Sequence, residues 1–163
     1  MRPHRGWPVA FFVAVMACGQ PGPRPIRYGE ELCEYCRMTI TDPRFAAQLV
    51  TRKGRILTFD DIGGLVAFVN EERIPPAEVH SLWVNSFTQP EIQLDATTAH
   101  FLQSDRLRTP MGSQLAAFLP GREIERHKSE LGGEVLRWGE VLALPAHSVD
   151  DESPGDEDPG LRP

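Results

Sequence analysis

Hydrophobic and polar residues in the first half of the chain follow a strand-like spacing, then a helical one, then a strand-like one again. Two apolar segments at 45–50 and 56–59 flank a Lys-Gly pair at 53–54, which is typical of a β-hairpin turn. From Ile62, apolar residues recur at i, i+3, i+4 and i+7, which is one face of a short helix. A third apolar segment at 82–84 predicts another strand. The pattern therefore predicts a ββαβ unit.

The predicted helix has polar residues at its start and prolines after its end. Asp60 and Asp61 stand at the start, where a carboxylate caps free backbone N–H groups and complements the helix dipole. We favour this interpretation over catalysis by a pair of carboxylates. Pro75 and Pro76 follow the apolar face and predict where the helix stops.

The second half of the chain repeats this order of elements more weakly. Predicted strands at 91–94 and 114–119 precede a predicted helix at 122–131. Two glycines at 132–133 are typical of a helix C-terminus, and a closing strand is predicted at 134–138. We therefore predict an α+β fold class with two small ββαβ units packed together.

The N-terminus has the pattern of a bacterial export signal. A basic start precedes an apolar run at 9–17, which is too short for a membrane-spanning helix of about 20 residues. Cys18 directly follows a small residue, as in a lipobox, although Met16 is not the usual small residue at its position. We predict a lipoprotein signal peptide at 1–17 and a lipidated anchor with a Pro/Gly-rich spacer at 18–27. An ordinary cleavage site followed by a chance cysteine is the alternative.

The formal net charge of −6 is concentrated near the C-terminus. Residues 150–163 hold six acidic side chains against one arginine and almost no apolar residues, which predicts a disordered acidic tail. The remaining folded domain, predicted at 28–149, is close to neutral. A near-neutral domain lacks the basic character of a nucleic-acid binder, so we expect no nucleic acid as a partner.

Sulfur-bearing side chains carry the candidate chemistry. Besides Cys18, the processed chain would keep Cys33, Cys36, Met38 and Met111. Zinc would need four Cys or His ligands, and a thioredoxin-like site would place the CxxC motif at a helix N-terminus, whereas a hairpin follows it here. Thiolate and thioether together select Cu(I), and in an extended segment Cys36 and Met38 would point to the same side. A structural disulfide is the leading alternative in an oxidising compartment, so the residues alone leave these readings open.

Several short motifs also follow one another in a specific order. They are the lipobox, the CxxCxM motif at 33–38, Phe45-Ala46-Ala47-Gln48, Phe59-Asp60-Asp61-Ile62-Gly63, Pro110-Met111-Gly112-Ser113 and Gly132-Gly133. This ordered set resembles the NosL family, copper-binding lipoproteins that assist the assembly of nitrous oxide reductase. The resemblance covers about 28–142, which is nearly the whole predicted fold.

The resemblance implies a copper chaperone rather than an enzyme. It implies one Cu(I) per chain, with Cys36, Met38 and Met111 as metal ligands and Cys33 as a further candidate. The expected partner is a copper-accepting apo-metalloenzyme or a membrane transporter complex. The expected location is the cell envelope, with the lipid anchor in the membrane and the domain facing the periplasm or the cell exterior. The alternative is an envelope thiol–disulfide redox protein that uses Cys33 and Cys36.

Two positions depart from the pattern that the resemblance implies. The family often has glycine between the second cysteine and the methionine, where this chain has Arg37. The family often has cysteine after the FDDIG motif, where this chain has Gly64. Neither departure removes an expected metal ligand.

Overall fold

Two small antiparallel sheets, each joined to a helix, make up the part of the chain that the computed structural model describes, residues 21–145. The predicted signal peptide, Cys18 and the predicted acidic tail lie outside the described residues. The first unit consists of β1 Ala47–Thr51, β2 Ile56–Phe59, α1 Ile62–Asn70, β3 Val79–Asn85 and β4 Gln93–Asp95. The second consists of β5 His100–Gln103, β6 Leu115–Phe118, α2 Arg122–Leu131 and β7 Glu134–Leu136, followed by α3 Trp138–Leu142.

In each sheet, the strand that comes first in the chain lies between two other strands. The strand orders are β2-β1-β3-β4 in the first sheet and β6-β5-β7 in the second, and all neighbouring strands are antiparallel. The predicted α+β fold class with two ββαβ units is therefore confirmed. The first sheet carries β4 as an additional edge strand, and a bridge between Ser86 and Ala117 links the two sheets.

The strand assignment in the second unit needs one correction. The predicted strand at 91–94 forms as β4, but it pairs with β3, so its placement in the second unit is wrong. The true first strand is β5, which the pattern does not predict. Phe101 and Leu102 of this strand are both fully buried, in two different hydrophobic clusters. A strand covered on both faces has no polar alternation by which it can be recognised.

Two element ends also differ from the prediction. Helix α1 stops at Asn70 rather than at Pro75, because the chain turns at Glu72, which has a left-handed backbone with φ of 48°. The predicted closing strand at 134–138 ends at Leu136, and Trp138 begins α3.

One hydrophobic core serves both units. It combines first-unit side chains with side chains of the second unit and of α3, among them Leu49, Phe59, Leu65, Phe101, Leu115, Leu136 and Val141. A smaller cluster lies under α2 and includes Phe45, Leu102, Phe118 and Ile124. Burial of large apolar side chains is the main stabilising term in a domain of this size, at about 25 cal/mol per Å² removed from water. The units are therefore held together by shared apolar surface.

The described part of the predicted spacer packs on the fold instead of extending from it. Ile26 is buried in the main core with 7% exposure. The Arg24 N–H donates to the Gln48 side chain at 3.2 Å, and the Arg24 carbonyl accepts from it at 2.8 Å. These contacts give residues 21–27 a fixed path that their Pro/Gly-rich composition does not predict. No helix within residues 21–145 is long and apolar enough to cross a membrane.

Candidate metal centre

A tight loop carries both cysteines of the CxxCxM motif. The Cys33 N–H donates to the Met38 carbonyl at 2.8 Å, and the Arg37 N–H donates to the Cys33 carbonyl at 3.0 Å. Just outside these bonds, Leu32 and Thr39 form an antiparallel bridge. The loop is therefore closed at its base like a small hairpin.

The turn in this loop differs from the extended backbone that the sequence predicts for Cys36 and Met38. Arg37 has a left-handed backbone with φ of 66°, so residues 36–38 do not form an extended segment. The argument that Cys36 and Met38 share one side of a strand is therefore wrong. A left-handed backbone favours glycine, so Arg37 occupies a position that glycine would adopt with less strain. The Arg37 guanidinium lies 3.7 Å from the Glu34 carboxylate at the surface, where most of its side chain is exposed.

The first strand pair holds this loop beside the start of α1. The Glu34 N–H donates to the carbonyl of Thr58 in β2 at 2.8 Å, which fixes the loop on the sheet. Strand β2 ends at Phe59, and Asp60 follows directly. The cysteine loop and the turn from β2 to α1 therefore meet at one place.

Three ligand-type side chains come together there. The Sγ atoms of Cys33 and Cys36 and a carboxylate oxygen of Asp60 all lie within 4.8 Å of one another. The Cys36 thiol contacts both Asp60 oxygens at 3.6 Å, a distance compatible with a weak S–H···O hydrogen bond. Both cysteines are free thiols in this structure. The cluster combines two soft sulfur donors with one hard oxygen donor.

The two thiols differ in their surroundings. Cys33 is fully buried and belongs to the main core, whereas Cys36 is partly exposed. Burial, with a smaller contribution from the neighbouring Asp60 carboxylate, raises the pKa of the Cys33 thiol to about 12. Cys33 therefore keeps its proton at neutral pH, and Cys36 is the thiol that solvent and an incoming ion reach first.

Met111 reaches the same turn from the second unit. Its backbone N–H donates to Asp61 Oδ2 at 2.9 Å, and Asp61 Oδ1 accepts from the Gly63 N–H at 2.7 Å. A Cβ atom added to Gly64 would lie 3.0 Å from the Met111 Sδ atom, so the thioether lies against the first turn of α1. The structure thus brings Met111 to the start of α1, two residues after Asp60, which contacts Cys36.

The side chain of Met38 has a different environment. It is 62% exposed, on the outer side of the cysteine loop, although its carbonyl belongs to the loop base. Met111, by contrast, is partly buried and lines a cavity of about 130 Å³ together with Tyr35, Val66 and Leu144. The predicted ligands Cys33 and Cys36 are therefore adjacent, Met111 is fixed on α1, and Met38 lies at the surface. Their role as metal ligands remains a prediction.

Asp60 is not among the site residues that the sequence predicts. The sequence predicts helix capping for both aspartates, and Asp61 does cap α1, with φ and ψ of −144° and 143°. Successive side chains in extended backbone point in opposite directions, so two adjacent aspartates at the end of a strand cannot both cap the helix. That alternation is the signal that separates Asp60, which contacts Cys36, from Asp61.

These features define a small α+β domain with a candidate soft-metal site beside the junction of its two units. The NosL family model matches residues 26–143, and the chain belongs to this family. The fold is also similar to that in the crystal structure of the copper chaperone NosL from Shewanella denitrificans, with a TM-score of 0.64 and 18% sequence identity. That similarity covers 74% of this chain and 95% of the other. A comparison with curated proteins gave no match.

Membership of the NosL family confirms the resemblance that the ordered motifs indicate. It also agrees with the expectation that the chain is not an enzyme. The structural similarity to the Shewanella denitrificans protein supports the fold. At 18% sequence identity it does not assign individual ligands.

Proposed function

We propose that this protein is a copper chaperone that binds Cu(I) in the cell envelope and passes it to a metalloenzyme under assembly. The observation that carries the proposal is the adjacency of the Cys33 and Cys36 thiols at the turn where Met111 is fixed. Soft sulfur donors select Cu(I) over harder ions. Membership of the NosL family supports it, as does the fold shared with the copper chaperone NosL from Shewanella denitrificans.

The main ligand in this proposal is Cys36. It is the more accessible thiol, and as a thiolate it would supply the charge and the strongest bond to Cu(I). Met111 and Met38 would supply thioether sulfur, Met111 from the second unit and Met38 from the exposed side of the loop. Cys33 would join only by losing its proton, which its raised pKa opposes until the metal itself displaces that proton.

Asp60 would act next to the sulfur donors in the same proposal. Its carboxylate contacts Cys36 and would pass on to solvent the proton that leaves the thiol when Cu(I) binds, so that Asp60 stays charged. A carboxylate is a poor ligand for Cu(I), so its expected contribution to the bound state is electrostatic. Carboxylate and thiolate together would offset the charge of a cation brought to a half-buried site.

Thiol–disulfide exchange by Cys33 and Cys36 is the competing function. The two thiols are close enough in space for exchange after a small adjustment. Reactive thiols of this kind often stand at a helix N-terminus, whereas both cysteines here lie before the first strand, in a loop closed by the Leu32–Thr39 bridge. We therefore favour copper binding.

The location and the partner belong to the proposal as well. The lipobox pattern supports a lipid anchor on Cys18 and a domain facing the periplasm or the cell exterior. The family resemblance favours a copper-accepting apo-metalloenzyme, with nitrous oxide reductase as the expected acceptor, or a membrane transporter complex beside it.

Competition for Cu(I) against a chromogenic chelator tests the metal site. We expect one tightly bound Cu(I) per chain, loss of tight binding in Cys36→Ser, and weaker binding in Met38→Leu and Met111→Leu. Exchanging methionine for leucine nearly preserves volume and should cost less than about 1.5 kcal/mol of fold stability. The matched control is Leu32→Ala, which changes an exposed side chain at the base of the same loop and should leave Cu(I) affinity unchanged.

The same measurements separate the two functions. If both methionine variants bind Cu(I) as tightly as the wild type, the thioether site is refuted and thiol–disulfide exchange moves ahead. In that case the Cys33–Cys36 pair should show a measurable reduction potential that Met38→Leu does not change, because a thioether takes no part in disulfide exchange.

A further inference from the structure

The two aspartates between β2 and α1 serve different partners. Asp60 faces the cysteine loop, whereas both carboxylate oxygens of Asp61 accept backbone hydrogen bonds. One bond comes from Gly63, two residues ahead, and the other from Met111 in the second unit. Asp61 is fully buried, so both bonds are shielded from water. One side chain therefore joins the helix start to the methionine loop.

Helix capping alone does not require this arrangement. A cap needs one acceptor, which serine or asparagine would supply equally well. Asparagine has a single acceptor oxygen, and its NH₂ group cannot accept a hydrogen bond from the Met111 N–H. Only a carboxylate of this length satisfies both N–H groups at once. The second oxygen of Asp61 therefore has a function in addition to capping.

Two glycines let the methionine loop lie directly on the helix. A Cβ atom added to Gly63 would lie 2.5 Å from the Ser113 Cβ, which is closer than two such atoms can approach. A Cβ atom added to Gly64 would lie 3.0 Å from the Met111 Sδ, a tight contact with the far end of a flexible side chain. The loop thus occupies the space that larger side chains on the first turn of α1 would fill.

We propose that Asp61 is a positioning residue that sets where the Met111 thioether stands relative to the cysteine cluster, and that Gly64 leaves the space for its sulfur. The inference rests on the proposed function, in which Met111 binds Cu(I). Asp61 is not assigned a direct metal contact, because it lies outside the cluster of Cys33, Cys36 and Asp60 and each of its oxygens accepts a backbone N–H. It acts through Met111, as outer-shell groups at metal sites do.

The full-length chain in detergent, Asp61→Asn, Met111→Leu and the double variant form a mutant cycle for Cu(I) affinity. We expect Asp61→Asn to weaken binding about 10- to 100-fold, the usual range for a lost outer-shell partner. The double variant should bind Cu(I) as tightly as whichever single variant has the lower affinity, because both changes remove the same thioether contribution. Asp95→Asn is the matched control, since Asp95 also accepts a backbone N–H two residues ahead, at Thr97, in a turn outside this site.

A second measurement reports on position without copper. In metal-free protein with ¹³C-methyl methionine, the Met111 signal should move in Asp61→Asn and stay in place in the Asp95→Asn control. If Asp61→Asn fails to fold, Gly64→Ala serves instead, because its new methyl group is crowded only by the movable thioether and lies at an ordinary contact distance of 3.8 Å from the Tyr35 Cβ. Gly64→Ala should keep the circular dichroism of the wild type, shift the Met111 signal and weaken Cu(I) binding.

The outcomes distinguish this inference from the proposed function. If Met111→Leu weakens Cu(I) binding but Asp61→Asn and Gly64→Ala do not, the positioning role is wrong and the copper site stands. Additive losses in the mutant cycle would likewise overturn it, because they would show that Asp61 acts by another route. If Met111→Leu binds as the wild type does, the thioether ligand assigned in the proposed function fails, and the inference fails with it.

Discussion

A partly buried carboxylate, that of Glu31, yields a sharp prediction about stability. Both Glu31 oxygens accept hydrogen bonds from the Arg24 guanidinium at 2.7 Å, and one also accepts the Arg27 N–H at 2.8 Å. The Arg24 hydrogen bonds, more than any other contact, lower the pKa of Glu31 from 4.5 to about 2. This ion pair between Arg24 and Glu31 holds residues 21–27 against the domain.

The size of the effect follows from that pKa. At about 1.4 kcal/mol per pKa unit, the gap between 4.5 and about 2 corresponds to at most about 3.5 kcal/mol. The Arg24 side chain is 42% exposed, so water screens the pair and lowers the expected contribution. We expect Glu31→Gln to reduce the free energy of unfolding by about 1–2 kcal/mol at pH 7. Because the folded pKa lies below the unfolded one, this stability is lost as pH falls from about 4.5 towards 2.

Urea unfolding followed by tryptophan fluorescence at pH 7 and pH 3 measures both quantities. At pH 3 more than half of the difference between wild type and Glu31→Gln should have disappeared. Glu30→Gln is the matched control, because Glu30 is 68% exposed and lies 3.6 Å from Arg27. Equal stability of wild type and Glu31→Gln at pH 7 would refute the reasoning. So would a difference that is the same at both pH values.

Two further predictions concern the anchor and the cysteine loop. Cys18→Ser should leave an unprocessed or mislocalised precursor, and an intact mass showing an unlipidated mature N-terminus elsewhere would contradict the proposed anchor. Arg37→Gly should relieve the left-handed backbone and raise the free energy of unfolding by up to about 1 kcal/mol, as measured by urea unfolding. A clear loss of stability in that variant would show that the Arg37 side chain contributes more than its backbone conformation costs.

Local signals in the sequence predict those elements that have one exposed face or a distinct end. The hairpin of β1 and β2 turns at Gly54, which has φ of 80°, and α2 spans the predicted residues 122–131. Helix α2 buries Ile124 and leaves most of its other side chains at least partly exposed. This contrast between apolar and polar positions makes the helix recognisable in the sequence. Strand β5 lacks such contrast, because it lies between two hydrophobic clusters.

The candidate site was harder to predict because its members are distant in the sequence. The CxxCxM motif and Met111 stand out as sulfur-bearing residues, and their chemistry can be named without a structure. Their approach depends on Asp60 and Asp61 pointing to opposite sides of one turn, which follows from backbone conformation and not from residue type. The left-handed turn at Arg37 also depends on backbone conformation, so the pattern of side chains does not predict it.

The core shared by the two units bears on what happens after the ion has left. Small zinc-dependent domains unfold when the metal is removed, because the metal supplies much of their folding free energy. Here Cys33 and Phe59 are buried in one hydrophobic cluster with apolar side chains from both units, and that burial is itself a large source of folding free energy. The emptied protein would therefore keep its shape, escape the proteolysis that follows unfolding, and be refilled for another round of delivery.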